Sequence, residues 1–118
     1  MPTFIDEFKS VSETTRCGES SRMRKKYPGR YCIIVDKDPR TTAPPIDKHK
    51  YLVPGDLTVG QFIYVIRKRL KLPSDQAIFV YVDKKLPQTS MLLSEAYNQY
   101  HDRDGFMYMI YSAENTFG

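Results

Sequence analysis

The chain has 118 residues, of which 41% are hydrophobic and 27% are charged, and its formal net charge is +4. This length suits one domain with its own core and excludes a multidomain protein. Its apolar runs are far shorter than the ~20 residues that a membrane-spanning helix needs. The first residues lack a signal-peptide pattern and the cysteines lack metal-ligand spacing, so we expect a cytoplasmic protein with reduced thiols.

The first 26 residues are predicted to form an irregular helical extension that ends at Tyr27-Pro28-Gly29, and residues 27–118 to form the main domain. A basic cluster lies at the C-terminal end of this extension. It is either a solvated helix face or a patch for anionic partners. Its members are Arg22, Arg24, Lys25, Lys26 and Arg30.

Two strands are predicted next. Tyr31–Val35 is an apolar, β-branched run, and the proline-rich segment after it indicates a turn before a second strand at Lys48–Val53. The proline-rich connection before the second strand and the turn after it leave this strand with few neighbouring strands to pair with, so we place it at a sheet edge. An exposed edge favours addition of a strand from another chain.

A helix with clear start and stop signals follows. Thr58 and Gln61 have the spacing of a capping box, and Leu57 and Phe62 have that of a hydrophobic staple. Apolar residues then recur at helical spacing, basic residues fill the last turn, and Pro73 disfavours further helix.

The remaining sequence predicts a strand at Ile78–Val82, a turn at 83–85, a short helix within 92–100 and a strand at Met107–Tyr111. Cys32 falls in an apolar strand and is expected to be a small core residue. One helix packed across a mixed sheet buries these apolar faces, which gives the α+β class.

Enzyme chemistry is not predicted. His49 and His101 lack a convergent nucleophile or orienting group. Asp102-Arg-Asp-Gly105 lacks the further ligands of a calcium loop, so we expect a tight turn before Phe106. No glycine-rich phosphate loop is present, and we expect neither a metal nor a cofactor.

Several segments resemble the ubiquitin-like autophagy modifiers, the family of microtubule-associated protein light chain 3 and GABA-receptor-associated protein. The resemblance runs from about residue 19 to the end, in the family's order. It rests on the segments 24–30 (RKKYPGR), 46–73 (IDKHK to KLP), 77–82 (AIFVYV), 86–89 (LPQT), 97–101 (YNQYH), 104–106 (DGF) and 111–118 (YSAENTFG). It implies a β-grasp sheet with packed helices.

A conjugated C-terminus is also implied by the resemblance. The sequence ends on Phe117-Gly118. A terminal glycine could be an ordinary frayed end. In the family, the corresponding glycine is joined to phosphatidylethanolamine by activating and conjugating enzymes and released by deconjugating enzymes, so the protein would be their substrate. The lipid would be a covalent modification, and the protein would divide between cytoplasm and autophagosome membrane.

The resemblance further implies that cargo receptors bind the edge strand through aromatic-x-x-aliphatic peptides. Each apolar residue in the two implied pockets could equally be a core residue. The aromatic pocket would comprise Glu19, Met23, Cys32, Ile34, Lys50, Leu52 and Phe106. The aliphatic pocket would comprise Tyr51, Val53, Pro54, Leu57, Phe62 and Val65. Acidic residues flanking the peptide would meet Arg30, Lys48 and Arg69, with Lys50 beside them.

The chain also departs from the family. Cys32 stands where relatives usually have proline, Glu13-Thr-Thr-Arg16 replaces a Phe-Glu-Lys-Arg-like run, and Gly29 replaces an acidic residue. We therefore expect an altered ligand preference. Two other functions stay open: an unconjugated β-grasp peptide-binding adaptor, and a nucleic-acid binder, which the basic cluster and tyrosines suggest only weakly.

Overall fold

The computed structural model describes residues 2–115. Four strands form one mixed sheet in the order β2-β1-β4-β3. The central strands β1 and β4 are parallel, and β2 and β3 pair antiparallel with them on the outside. The elements in chain order are α1 (Phe4–Lys9), α2 (Glu13–Lys26), β1 (Arg30–Lys37), β2 (Lys50–Pro54), α3 (Val59–Leu70), β3 (Phe79–Val82), α4 (Leu93–Tyr100) and β4 (Met107–Ser112). The predicted α+β class and order of elements are confirmed.

Strand β1 separates two apolar cores. Ile33, Ile34 and Val35 are fully buried, which explains the continuous apolar run in its sequence. Because successive side chains of a strand point to opposite faces, Ile33 and Val35 join the main core, whereas Ile34 joins a smaller cluster with Phe8. Helices α3 and α4 contribute to the main core, and α1 covers the smaller cluster.

The start of α3 follows the predicted capping box. The Gln61 amide donates to the Thr58 hydroxyl at 3.1 Å, and the Thr58 amide donates to the Gln61 side chain at 2.8 Å. The helix ends at Leu70 because Lys71 adopts a left-handed conformation with φ 55°. The stop therefore comes before Pro73.

The predicted irregular helical extension consists of two helices, since Ser10 ends α1 and Ser12 caps α2. One predicted boundary is wrong. The second strand begins at Lys50 rather than at Lys48, although the Val35 amide still donates to the His49 carbonyl at 2.8 Å. Lys48 therefore lies before the strand. The proposed division between residues 1–26 and 27–118 stays a prediction.

Candidate functional site

Strand β2 forms one edge of the sheet. Within residues 2–115 it pairs only with β1, in a register that runs from Arg30 opposite Pro54 to Ile34 opposite Lys50. Its other side offers backbone groups to a further strand. The predicted edge position is therefore confirmed.

An open cavity of about 230 Å³ lies beside this edge. It is smaller than the 300–1,000 Å³ of typical small-molecule sites and suits a single large side chain. Its lining is Glu19, Met23, Cys32, Lys48, Lys50, Tyr51, Leu52 and Phe106. We call it the aromatic pocket, because it contains every residue predicted for that pocket except Ile34. Ile34 is fully buried in the smaller apolar cluster and does not line the cavity.

The rim of the aromatic pocket is charged and its floor is apolar. Lys50 Nζ lies 2.9 Å from a Glu19 carboxylate oxygen and 4.7 Å from the centre of the Phe8 ring. Cys32 is 2% exposed, as expected for a core residue. Burial raises the pKa of its thiol, so the floor is neutral at physiological pH.

A buried polar network fixes α2 against β4 and thereby positions Glu19 and Met23. Arg16 Nη1 donates to Asp104 Oδ2 at 2.5 Å, and the Tyr108 hydroxyl also donates to this oxygen. Asp104 is fully buried, and its other carboxylate oxygen accepts from the Phe106 amide at 2.9 Å. These partners compensate the cost of burying the charges.

The tight turn predicted before Phe106 is confirmed. The Gly105 amide donates to the Asp102 carbonyl at 3.0 Å, and Gly105 has φ 84°. A Cβ at this position would lie 2.2 Å from Ser20 Oγ. Glycine is therefore required both by the turn and by the close approach of α2.

Helix α1 was not predicted to support the site. Its Phe4 ring stacks on His49 with 4.2 Å between centroids, and the Ile5 amide donates to Asp36 Oδ2 at 3.1 Å. Phe8 is 8% exposed within the smaller apolar cluster. The apolar residues at positions 4, 5 and 8 lie on one helical face, which is the sequence signal for this contact.

The residues predicted for the aliphatic pocket come together between β2 and α3. Most of these residues are buried in the main core or packed against it. Tyr51, Val53 and Phe62 are buried, and Leu57 packs against them. The Tyr51 and Phe62 rings meet edge to face, with 5.4 Å between centroids. Pro54 is half-buried. Val65, at 39% exposure, is the accessible member of this set.

The basic residues predicted to contact acidic flanks of a peptide lie around these pockets, and each already interacts with another residue of the chain. Arg69 holds Asp47 through two hydrogen bonds, of 3.0 and 3.3 Å, which lower the pKa of that carboxyl. Lys48 Nζ lies 5.1 Å from the centre of the Tyr51 ring. Arg30 Nη1 donates to the Leu52 carbonyl at 3.4 Å.

The predicted conjugation residue, Gly118, lies outside the described residues. Over residues 2–115, the structure contains no helix that could cross a membrane and no cluster of three or more His, Cys, Asp or Glu side chains suited to a metal ion.

A mixed sheet with α3 packed across one face and an open outer strand defines a ubiquitin-like protein. The family model described as autophagy protein Atg8, ubiquitin-like, matches residues 15–118. The chain belongs to this Atg8 family.

Individual relatives agree with this assignment. The chain is 58% identical over 103 residues to autophagy-related protein 8a of Arabidopsis thaliana, covering 87% of this chain and 84% of that protein. It is 57% identical to autophagy-related protein 8 of Mycosarcoma maydis, covering 87% of each. The crystal structure of Trypanosoma brucei ATG8 superposes with a TM-score of 0.85 at 39% identity, over 94% of this chain and 97% of that one.

Proposed function

We propose that the chain is a ubiquitin-like modifier that is conjugated through Gly118 to phosphatidylethanolamine on autophagosomal membranes. There it recruits cargo receptors and autophagy factors by binding aromatic-x-x-aliphatic peptides along β2. It acts as the substrate of activating, conjugating and deconjugating enzymes and needs no catalytic group or cofactor of its own. Before conjugation it resides in the cytoplasm.

The observation that carries the peptide-binding part is the open edge of β2 beside the aromatic pocket. A peptide strand gains backbone hydrogen bonds along such an edge, and alternate side chains then enter pockets on the same face. The cavity takes the aromatic side chain, with Met23 and Cys32 supplying soft, apolar walls. Membership of the Atg8 family supports the conjugation part.

Charges around the edge support an acidic partner. Lys48 and Lys50 line the aromatic pocket, and Arg30 reaches the Leu52 carbonyl in the middle of β2. A peptide whose motif is flanked by Asp or Glu therefore meets a basic rim. Rim charges of this kind mainly raise the association rate.

Reconstitution tests the conjugation part. The chain and its Gly118→Ala variant are incubated with activating enzyme, conjugating enzyme, ATP and phosphatidylethanolamine liposomes, and intact masses are measured. We expect a lipid adduct on the unaltered chain alone. If enzymes that are active on a relative give no adduct, the unconjugated peptide-binding adaptor becomes the better account.

Peptide binding is tested separately by titration calorimetry with an aromatic-x-x-aliphatic peptide and with a control peptide that has alanine at both anchor positions. We expect saturable 1:1 binding of the first peptide only. Equal binding of both peptides would contradict recognition through the two pockets. RNA titrated into the same protein checks the nucleic-acid alternative, which would require strong, salt-dependent affinity.

A further inference from the structure

We propose that an open, basic cavity at the C-terminal end of α3 binds the headgroup of an anionic phospholipid once conjugation has brought this end of the domain to a membrane. The inference rests on the proposed function, because conjugation through Gly118 supplies the membrane. It adds a second, non-covalent lipid contact and thereby fixes which end of the domain faces the bilayer.

The first observation is the cavity itself. Its volume of about 490 Å³ lies in the range of small-molecule sites and is about twice that of the aromatic pocket. Three of the side chains that line it are cations, none is a carboxylate, and a tyrosine and a serine add hydroxyl donors. The lining is Tyr64, Arg67, Lys68, Lys71, Leu72 and Ser74. Such a lining suits an anion that carries several acceptor oxygens.

The second observation is the lack of a counter-ion within residues 2–115. Arg69 of the same helix has a carboxylate partner, whereas the three cations of the cavity take part in none of the ion pairs. Asp75, in the loop after α3, is exposed and does not line the cavity. The C-terminal end of a helix contributes roughly half a negative charge, so the cavity keeps a net positive charge.

The third observation is that part of the lining is already held in place. Arg67 Nη1 donates to the Gln76 carbonyl at 2.6 Å, and Nη2 donates to the Pro73 carbonyl at 3.0 Å. These neutral acceptors fix the guanidinium without cancelling its charge. Lys68 Nζ lies 5.1 Å from the centre of the Tyr64 ring. Groups that are positioned before binding lose less conformational freedom when a ligand arrives.

The cavity lies near the point where the C-terminal segment leaves the sheet. Its Arg67 guanidinium is bonded to the 73–76 loop, and β3 begins three residues after that loop at Phe79, which pairs with Ser112 of β4. An extended chain advances about 3.5 Å per residue, and paired strands lie about 5 Å apart. The guanidinium is therefore within about 20 Å of Ser112.

This position makes a membrane the source of the anion. Residues 113–118 separate Ser112 from Gly118, and a chain of that length spans at most about 20 Å. A lipid attached to Gly118 thus keeps this end of the domain close to the bilayer surface. Tyr64 is 58% exposed beside the cations, and tyrosine favours the headgroup level of a bilayer.

Vesicle co-sedimentation tests the site on the unconjugated chain, without any enzyme. The vesicles contain phosphatidylcholine alone or phosphatidylcholine mixed with phosphatidylinositol, and the unaltered chain is compared with the Lys68→Ala/Lys71→Ala double variant. We expect binding to the mixed vesicles only. The double variant should bind them about 30-fold more weakly, because each lysine near an anionic surface contributes about fivefold.

Lys25→Ala/Lys26→Ala is the matched control, since it removes two exposed lysines from the last turn of α2. These precede the start of β1, and the eight residues of that strand place about 23 Å between its two ends. This separation exceeds the screening length of about 8 Å at physiological salt, so the control should bind almost as well as the unaltered chain. Lys68→Arg/Lys71→Arg keeps the charge and should also bind. Denaturation midpoints verify that all variants fold.

Two further titrations distinguish other sources of an anion. Soluble glycerophosphoinositol and inorganic phosphate are added separately, and amide chemical shifts are followed. We expect the headgroup to shift residues 64–74 at lower concentration than phosphate does. An equal response to phosphate overturns the proposal in favour of a free-phosphate site. Salt-dependent RNA binding that the double variant loses, without vesicle binding by the unaltered chain, overturns it in favour of nucleic acid.

The proposal is also overturned if the unaltered chain ignores the mixed vesicles, or if the control variant loses as much binding as the double variant. If the lipid adduct forms on Gly118 but Lys68→Ala/Lys71→Ala binds vesicles normally, this inference alone fails. If vesicle binding depends on these lysines but no adduct forms, the proposed conjugation fails and the cavity remains a lipid site.

Discussion

The aromatic and aliphatic halves of the edge site differ in how ready they are for a ligand. The aromatic pocket is an open cavity with a charged rim. Most of the aliphatic half is buried, since Tyr51, Val53 and Phe62 belong to the main core, and Val65 is its exposed member. Binding to a preformed cavity costs little reorganisation, whereas entry into a closed one must move packed side chains. In the proposed peptide complex, the aromatic residue is therefore expected to engage first.

The two halves also depend on different parts of the chain. The aromatic pocket is lined by residues of α2, β1, β2 and the segment before β4. The Asp104 network joins α2 to that segment. The aliphatic half depends on contact between β2 and α3. The two halves should consequently fail under different substitutions.

The largest effect is expected from Asp104→Ala. It leaves Arg16 buried without its carboxylate, which costs about 3–5 kcal/mol of unfolding free energy. Since α2 then loses its ion pair to the segment before β4, affinity for the aromatic residue should fall as well. Urea denaturation and peptide titration check both effects. The control Arg103→Ala breaks an exposed contact of 3.6 Å to Glu13 and should change stability by less than about 1 kcal/mol.

A pair of substitutions separates the halves directly. Phe62→Leu leaves a void in the closed core and should cost about 1–2 kcal/mol of stability. Met23→Ala enlarges a cavity that is already open, so it should cost about 1 kcal/mol or less while weakening binding of the aromatic anchor. Denaturation and calorimetry on both variants provide the comparison. Equal stability losses would mean that the two halves are packed alike.

A substitution at the rim of the aromatic pocket should change the association rate of a peptide. Glu19→Gln removes the ion pair with Lys50, and because the pair is partly exposed we expect a stability change within about 1 kcal/mol. The freed ammonium should raise the association rate of an acidic peptide, and added salt should suppress the gain. Stopped-flow measurements at low and high salt test this. A salt-independent rate would argue against a steering role for Lys50.

The smallest expected effect is the loss of stability at low pH. Hydrogen bonds from Arg69 and Arg40 lower the pKa of Asp47 and Asp38 below that of the unfolded chain. Their contribution is therefore present above the unfolded pKa of about 4 and is lost as pH falls through the lower folded values. Because of these two groups, unfolding midpoints should decline as the pH falls below about 4. Asp47→Asn and Asp38→Asn should each reduce that decline.

Local signals in the sequence predicted much of the fold. The start of α3 depends on residues three positions apart, and the turn before Phe106 depends on adjacent ones, so both could be read directly. The closed state of Phe62 could not be predicted, because a residue on the apolar face of a helix can line a pocket or fill a core. The structure distinguishes these possibilities through long-range packing.

Long-range polar contacts also could not be predicted from the sequence. Arg16 and Asp104 are 88 positions apart, and no local pattern pairs them. The same limit applies to Ile34, whose burial depends on α1 lying over it.

The pairing of β1 with β4 has a consequence for how the chain reaches its native state. These two central strands lie near opposite ends of the described residues, and Ile33 pairs with Met107. Closing so large a loop is slow, because its entropy is lost before the contacts form. During synthesis β1 can pair early with β2, but its pairing with β4 must wait until residues 107–112 have emerged. Nascent chains are thus most vulnerable to aggregation just before β4 appears, and a chaperone that binds the 31–35 segment would protect them at that stage.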